Sequence, residues 1–253
     1  MCQLAAQEIP DALTLRLSLT YETSPSLQEA ATVNYEWQFD VVWENFPFLL
    51  SGVGTTVGLA ILSMLAGGVL GMAVALARIS RLRILRVPAY CYTELFRTTP
   101  IVVQIMWVYW VLPILAGVTL SGFHTGLVAL SLNVAAFMAE IYRAGIMSIN
   151  RGQTEASLAL GMTSSQMMRR IIIPQAITRM IPPMGTMWVS LFKDTAIISA
   201  IGVTELMFQA QYLAVDTYRP LEIFTVTAVI YFVITYPQSL GVNFLYKKFR
   251  TQE

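Results

Sequence analysis

The sequence predicts an all-α polytopic membrane protein with five transmembrane helices. Hydrophobic residues make up 56% of the 253 residues and charged residues 12%, and the mean hydropathy is +0.61. This composition disfavours a soluble domain. A transmembrane helix needs roughly 20 predominantly apolar residues, and runs of this kind recur along the chain between short polar segments.

The five predicted spans differ in how strongly the sequence supports them. Four long apolar runs cover residues 48–77, 98–123, 180–204 and 223–246. The run 180–204 is interrupted only by Lys193 and Asp194. A fifth, shorter run covers residues 125–141 and carries Glu140 near its end. We therefore expect five spans, with the longest polar connection between the third and the fourth.

The basic residues predict the orientation of the spans. Thirteen of the 16 Lys and Arg residues lie between spans one and two, around the connection between spans three and four, or in the C-terminal tail. An excess of Lys and Arg marks the cytoplasmic side. This pattern places the N-terminus outside and the C-terminus in the cytoplasm. The arginines at 78–86 lie at a membrane boundary, which favours contact with lipid headgroups over contact with nucleic acid.

The N-terminal segment differs from the rest of the chain. Residues 1–34 do not resemble a signal peptide, because Glu8, Pro10 and Asp11 interrupt any continuous apolar core. The segment is polar and has no sustained period, so we expect a disordered extension or a mis-assigned start codon. The membrane domain is expected over residues 35–253. Its first residues, 35–46, have the aromatic and acidic composition of an amphipathic lead-in at the outer interface.

The connection between spans three and four predicts a cytoplasmic helix–turn–helix. A first helix can begin at Thr154 or a neighbour, with Glu155 in its first turn. Gly161 should end this helix, because glycine enters the left-handed conformation at little cost. Thr163 and the glutamine three residues later have the spacing of a capping box that starts a second helix. Pro174 should end it.

This connection carries a recognisable motif, which we call the signature loop (residues 145–175). It resembles the loop of ABC importer permeases, whose pattern is Glu-Ala-Ala, three residues, Gly, nine residues, Ile, any residue, Leu, Pro. The matching residues are Glu155, Ala156, Gly161, Ile171 and Pro174, and the departures are Ser157 for alanine and Ile173 for leucine. The segments ELFRTTPIVVQ (94–104) and AEIYRAGI (139–146) resemble the polar amino-acid branch of the family, which includes histidine, glutamate and arginine permeases.

The resemblance, which runs from about residue 35 to the C-terminus, implies a function and a set of partners. It implies a subunit of the bacterial plasma (inner) membrane that forms a translocation pathway for polar amino acids together with a second permease, either a copy of this chain or a relative. A solute-binding protein would deliver substrate outside, and separate ABC ATPase subunits, which hold the ATP and Mg²⁺, would bind the signature loop inside. The implied ATPase-coupling residues are Glu155, Ala156, Ser157, Leu160, Gly161, Met162, Ile173 and Pro174.

Polar groups inside the predicted spans are candidates for the substrate pathway, because such groups are costly in a bilayer. They are Gln104, Asn133, Glu140, Lys193, Asp194 and Thr195. Glu140 could accept the ammonium group of an amino acid, and Lys193 or hydroxyl groups could bind its carboxylate. Two simpler interpretations remain open. Lys193 can pair with Asp194 or extend towards the interface, and Glu140 can pair with Arg143.

The sequence offers no catalytic or metal-binding motif. No glycine is followed by lysine, so there is no Walker A motif, and no G-x-S-x-G, H-E-x-x-H or C-x-x-C motif occurs. His124 is the single histidine. The chain is therefore expected to be a transport component without enzymatic activity or a cofactor of its own. A passive channel or an ion-coupled secondary transporter is the alternative class, although five spans without an internal repeat are unusual for the latter.

Overall fold

The computed structural model describes residues 35–250, which form helices and no β-strand. Residues 1–34, where the sequence predicts a disordered extension or a mis-assigned start codon, lie outside this range. The α-helices in chain order are α1 (Asp40–Glu44), α2 (Phe46–Ile79), α3 (Arg83–Thr98), α4 (Ile101–Met106), α5 (Leu112–Ala116), α6 (Gly122–Met147), α7 (Arg151–Ala159), α8 (Ser164–Met167), α9 (Ile173–Asp194), α10 (Leu206–Thr217) and α11 (Pro220–Arg250). Two π-helical turns, Trp107–Val111 and Met168–Ile172, join α4 to α5 and α8 to α9. A 3₁₀-helix, Thr195–Ile201, follows α9.

Three helices within residues 35–250 are long and apolar enough to cross a membrane, namely Phe46–Ile79, Gly122–Met147 and Pro220–Lys248. They coincide with predicted spans one, three and five. A fourth is present if Arg83–Thr98 and Ile101–Ala116, which meet at 110°, count as one bent span. The predicted span 98–123 is shorter in the structure, where its helical segment begins at Ile101, after a break from α3, and ends at Ala116. The predicted span 180–204 is divided between α9 and the 3₁₀-helix, and this segment is not among the three.

Helix α6 belongs to the main hydrophobic core and contacts both α2 and α9. Its close approach to α2 depends on Gly67 and Gly71, where an added Cβ would lie 2.6 Å from Val134 Cβ and 2.8 Å from Met138 Cβ. Gly145 faces Met180 of α9, and Gly126 faces Ile198 of the 3₁₀-helix that follows it. Small residues at these four positions let the helices pack closely, as in other membrane bundles.

A second, smaller core joins the ends of several helices at the end of the molecule opposite the signature loop. It contains buried residues of α1, α2, α10 and α11, including Val42, Leu49, Leu206 and Ile223. Helix α10 packs there against both α2 and α11. The long helices are thus held together at two levels, by the glycine contacts along α6 and by this terminal cluster.

Candidate functional site

The signature loop is a pair of short helices joined by a tight turn. Helix α7 starts at Arg151 behind an Asn150 cap, so Glu155 lies one turn later than the sequence predicts. Gly161 has φ +71°, its N–H donates to the Leu158 carbonyl, and the N–H of Met162 donates to the Ser157 carbonyl. This is a Schellman motif, which satisfies the last carbonyls of a helix.

The second half of the loop begins as predicted and ends differently. Thr163 and Gln166 form the capping box, with each side chain accepting from the other residue's backbone N–H. The expected end of the helix at Pro174 is wrong, because α9 runs from Ile173 through Pro174 to Asp194. A π-helical turn at Met168–Ile172 comes directly before. A π-helical turn has hydrogen bonds between residues five apart, whereas an α-helix has them between residues four apart. This change in the backbone hydrogen bonds occurs just before Pro174, which has no N–H to donate, and lets the helix continue.

The signature residues divide into an exposed set and a buried one. Glu155, Ala156, Gly161 and Pro174 are exposed, and so are the apolar residues Leu160 at 81% and Ile173 at 41%. Met162 is partly buried. Ser157 is buried and donates a hydrogen bond to the Gln153 carbonyl. Its role is therefore internal to α7, and the remaining exposed side chains form the surface of the loop.

Gln104 and Asn133 lie at the break between α3 and α4. The Gln104 side-chain amide donates to the Phe96 and Thr99 carbonyls at 2.8 and 3.0 Å. Asn133, on α6, donates to Gln104 Oε1 at 3.0 Å and to the Phe96 carbonyl at 3.2 Å. The last carbonyls of a helix lack intrahelical donors. These two predicted pathway residues therefore stabilise the broken end of α3.

Glu140 forms ion pairs with two arginines. Its Oε2 lies 2.6 Å from Arg78 Nη1, and its Oε1 lies 2.5 Å from Arg143 Nη2. Arg78 also donates to the Thr93 hydroxyl at 2.9 Å. The Arg143 pair was visible from its three-residue spacing, whereas Arg78 is 62 residues away. The cluster connects the ends of α2 and α6 with α3.

Lys193, Asp194 and Thr195 lie where α9 gives way to the 3₁₀-helix. Within residues 35–250, Lys193 and Asp194 form no ion pair with each other. Lys193 is exposed and Thr195 is buried, with its hydroxyl donating to the Phe192 carbonyl. Lys193 lines a cavity of about 320 Å³ between α9 and α11. Its polar lining residues are Thr186, Ser190, Lys193, Ser239, Asn243 and Tyr246.

Glu205 is a buried carboxylate that sequence reasoning missed. It caps α10 by accepting from the Phe208 N–H at 2.7 Å, and it also accepts from the hydroxyls of Thr56 and Tyr231 at 3.3 and 3.1 Å. Its position just before a helix was the available signal, since acidic residues favour helix N-termini. Across residues 35–250, no group of three His, Cys, Asp or Glu side chains could hold a metal ion.

Comparisons with known proteins agree with this architecture. The family described as "Binding-protein-dependent transport system inner membrane component" matches residues 67–251. A probable glutamine ABC transporter permease of Bacillus subtilis (strain 168) is 36% identical over 208 residues, which cover 82% of this chain and 96% of that protein. An arginine transport system permease of the same organism is 38% identical over 196 residues, covering 78% and 90%. The solved structure of an amino acid ABC transporter with histidines has a TM-score of 0.80 and 34% identity, covering 85% and 100%.

The helical fold, the apolar spans and these matches define a multi-pass membrane protein of a transport system. The chain belongs to the family of binding-protein-dependent transport system inner membrane components. It is a permease component of an ABC transporter.

Proposed function

We propose that this permease carries polar amino acids inward and that ATP hydrolysis on separate ABC ATPase subunits drives it through the signature loop. The observation that carries the proposal is the exposed, capped helix pair, which presents Leu158 and Leu160 at 54% and 81% exposure. Exposed apolar residues on a rigid element are typical of a protein interface. The loop would be cytoplasmic, the N-terminus outside, and the chain would cross the membrane five times.

The other partners and the substrate class follow from the same assignment. A second permease, identical or related, would complete the pathway, and a solute-binding protein would deliver substrate from outside. The ATP and Mg²⁺ would reside on the ATPase subunits. Relatives that carry glutamine and arginine in their names support polar amino acids as substrates.

The register between α9 and α6 supports a pathway beside Lys193. Gly145 of α6 contacts Met180, and Gly126 contacts Ile198, so the chain runs antiparallel to α6 between these two points. With a helical rise of about 1.5 Å per residue, Lys193 lies roughly two-thirds of the way along the chain from the Met180 contact to the Ile198 contact. It therefore lies beside the middle of α6, which would put it deep in the bilayer. A cation exposed to lipid there would cost about 3 kcal/mol, so this face of α9 is assigned to a polar pathway.

Glu140 is not assigned to the substrate. Both its oxygens already accept from arginine, and such charge-assisted bonds are stronger than neutral ones. Gln104 and Asn133 are likewise assigned to the α3–α4 break. Lys193 therefore carries the proposed contact with the substrate carboxylate, while Asp194 and the cavity hydroxyls lie nearby.

The proposed function is tested by purifying the tagged chain from membranes together with any bound subunits. We expect a separate ATPase to copurify, and the reconstituted complex to import labelled glutamine, arginine or cystine only when ATP is present with the solute-binding protein. Uptake that continues without ATP, or that follows an ion gradient instead, would assign the chain to a channel or a secondary transporter.

Replacing Gly161 with aspartate should release the ATPase. No atom lies within 4 Å of a Cβ added at Gly161, so the cost inside this chain is the left-handed backbone, about 1 kcal/mol. The larger loss arises from a charged side chain on the docking surface. Gly117→Asp is a matched control, because Gly117 has φ +66° and equally open surroundings at the end of α5. Copurification should fall for Gly161→Asp and stay normal for Gly117→Asp, and retention by both variants would contradict the docking assignment.

Replacing Lys193 with methionine should weaken uptake and leave assembly intact. Methionine keeps most of the length of the side chain and removes its charge. A hydrogen bond to a charged group contributes about 1.5–3 kcal/mol, so the half-saturation concentration should rise roughly tenfold to hundredfold. Lys248→Met removes an exposed charge elsewhere and should have no effect. An unchanged half-saturation concentration in Lys193→Met, at equal ATPase content, would exclude Lys193 from the substrate site.

A further inference from the structure

We propose that Arg179 is a positioning residue that joins the two ends of the signature loop, so that α6 and α9 move together when the loop is displaced. The inference rests on the proposed function, which makes the loop the site of ATPase docking. Arg179 belongs neither to the signature motif nor to the cavity beside Lys193. Its contacts lie at the base of the loop, where the loop joins its two flanking helices.

The contact joins residues on the two sides of the loop. Arg179, on α9, donates from Nη1 to the main-chain oxygen of Ser148 and to its hydroxyl, the latter at 3.3 Å. These two residues are 31 positions apart. Ser148 is the residue that ends α6, and its hydroxyl donates to the Gly145 carbonyl at 2.7 Å. Arg179 therefore reaches the last turn of α6 through the residue that caps it.

The chemistry of the α6 terminus favours a cation at this point. The final carbonyls of a helix lack intrahelical donors, and the helix dipole makes this end negative. The last turn of α6 has no Lys or Arg of its own. Arg179 supplies from α9 the positive charge that the last turn of α6 lacks. A guanidinium group can hold two acceptors in a fixed geometry, whereas a lysine ammonium group acts as a point charge.

A second contact lies next to the first and acts on the same two helices. The Met180 side chain occupies the space in front of Gly145, where a Cβ would overlap it. The end of α6 is thus held by two consecutive residues of α9, one by hydrogen bonds and one by close packing. A displacement of the loop at either end must then move both helices. Helix α9 also carries Lys193. The contacts of Arg179 and Met180 with α6 therefore lie between the docking surface and the proposed pathway.

The test measures how many ATP molecules are hydrolysed per amino acid imported. Complexes of the chain with its ATPase and solute-binding protein are reconstituted into vesicles, and the substrate is whichever of labelled glutamine, arginine and cystine the wild type imports. In Arg179→Met we expect normal ATPase binding, hydrolysis within about twofold of the wild type, and a ratio at least tenfold higher. Arg179→Lys should be intermediate. Arg81→Met, which removes an exposed cation between α2 and α3, should leave the ratio unchanged.

A covalent link provides a separate test, because it joins the same two positions without the hydrogen bonds of Arg179. Ser148→Cys and Arg179→Cys are combined in a Cys2→Ser, Cys91→Ser background and joined by a short bis-maleimide. The link should bring the ratio back towards the wild-type value. An unchanged ratio in Arg179→Met, loss of ATPase binding in that variant, or failure of the link to restore coupling would each overturn the inference and leave the proposed function standing. If the wild type itself binds no ATPase, the proposed function fails and the inference fails with it.

Discussion

Glu140→Gln is expected to lower the stability and the yield of the assembled permease while leaving substrate affinity unchanged. Arg78 is only 8% exposed and depends on Glu140 for its charge partner. Removing one partner of a buried ion pair leaves an uncompensated charge, which typically costs about 3–5 kcal/mol. Glutamine can still accept a hydrogen bond, so we expect the lower end, about 3 kcal/mol. The thermal unfolding midpoint of the purified protein measures this loss.

An exposed pair provides the control for Glu140. Glu94 lies 3.8 Å from Arg97, and both side chains are about one-third exposed or more. Exposed pairs contribute about 0–1 kcal/mol, so Glu94→Gln should shift the midpoint little. Combining Arg78→Gln with Glu140→Gln should recover part of the loss, since the more deeply buried of the two unpaired charges, that of Arg78, is then gone. A raised half-saturation concentration in Glu140→Gln with an unchanged midpoint would support a substrate role instead.

Glu205→Ala is expected to destabilise the protein by a similar amount, at the end of the molecule opposite the signature loop. The carboxylate is fully buried and accepts from the Phe208 N–H and from the Thr56 and Tyr231 hydroxyls. Losing a helix cap costs about 1 kcal/mol, and each buried donor left without a partner costs about 1–3 kcal/mol. Because these costs are only partly additive, we expect a total of about 3 kcal/mol.

The consequence of losing Glu205 should be local to α10. Glu205 connects the start of this helix to α2 through Thr56 and to α11 through Tyr231, so α10 should become mobile first. Asp216→Ala, an exposed carboxylate on the same helix, is the matched control and should change little. Amide exchange across α10 and the unfolding midpoint report the two effects. An α10 that stays protected in Glu205→Ala would show that the apolar contacts of Leu206 and Leu213 alone hold it.

The sequence predicted best those features that depend on neighbours along the chain. The apolar run of α2, the left-handed turn at Gly161 and the Thr163 capping box follow from local composition and short spacing. The continuation of α9 past Pro174 was missed because the rule for proline assumes regular α-helical bonding. A π-helical turn changes that hydrogen bonding, and no short sequence pattern in this segment predicted the turn.

The contacts that decide roles join residues far apart in sequence. Gln104 and Asn133 were predicted as pathway residues because polar groups in spans are costly, yet their partners are the carbonyls at the broken end of α3. Glu140 had a visible partner in Arg143, whereas Arg78 comes from another helix. Which amide, carboxylate or cation is already satisfied depends on how the helices pack, and a sequence pattern does not contain that information.

The four glycines in contact with α6 or belonging to it have a genetic consequence. Gly67, Gly71, Gly126 and Gly145 set the distance between helices by having no side chain. Any base change that replaces one of these glycines with another residue introduces a side chain, and even the smallest, alanine, places a Cβ against a neighbouring helix. No conservative replacement is therefore available to mutation at these positions. We expect them to vary far less among natural alleles than the large exposed apolar residues of α11, which can exchange for one another.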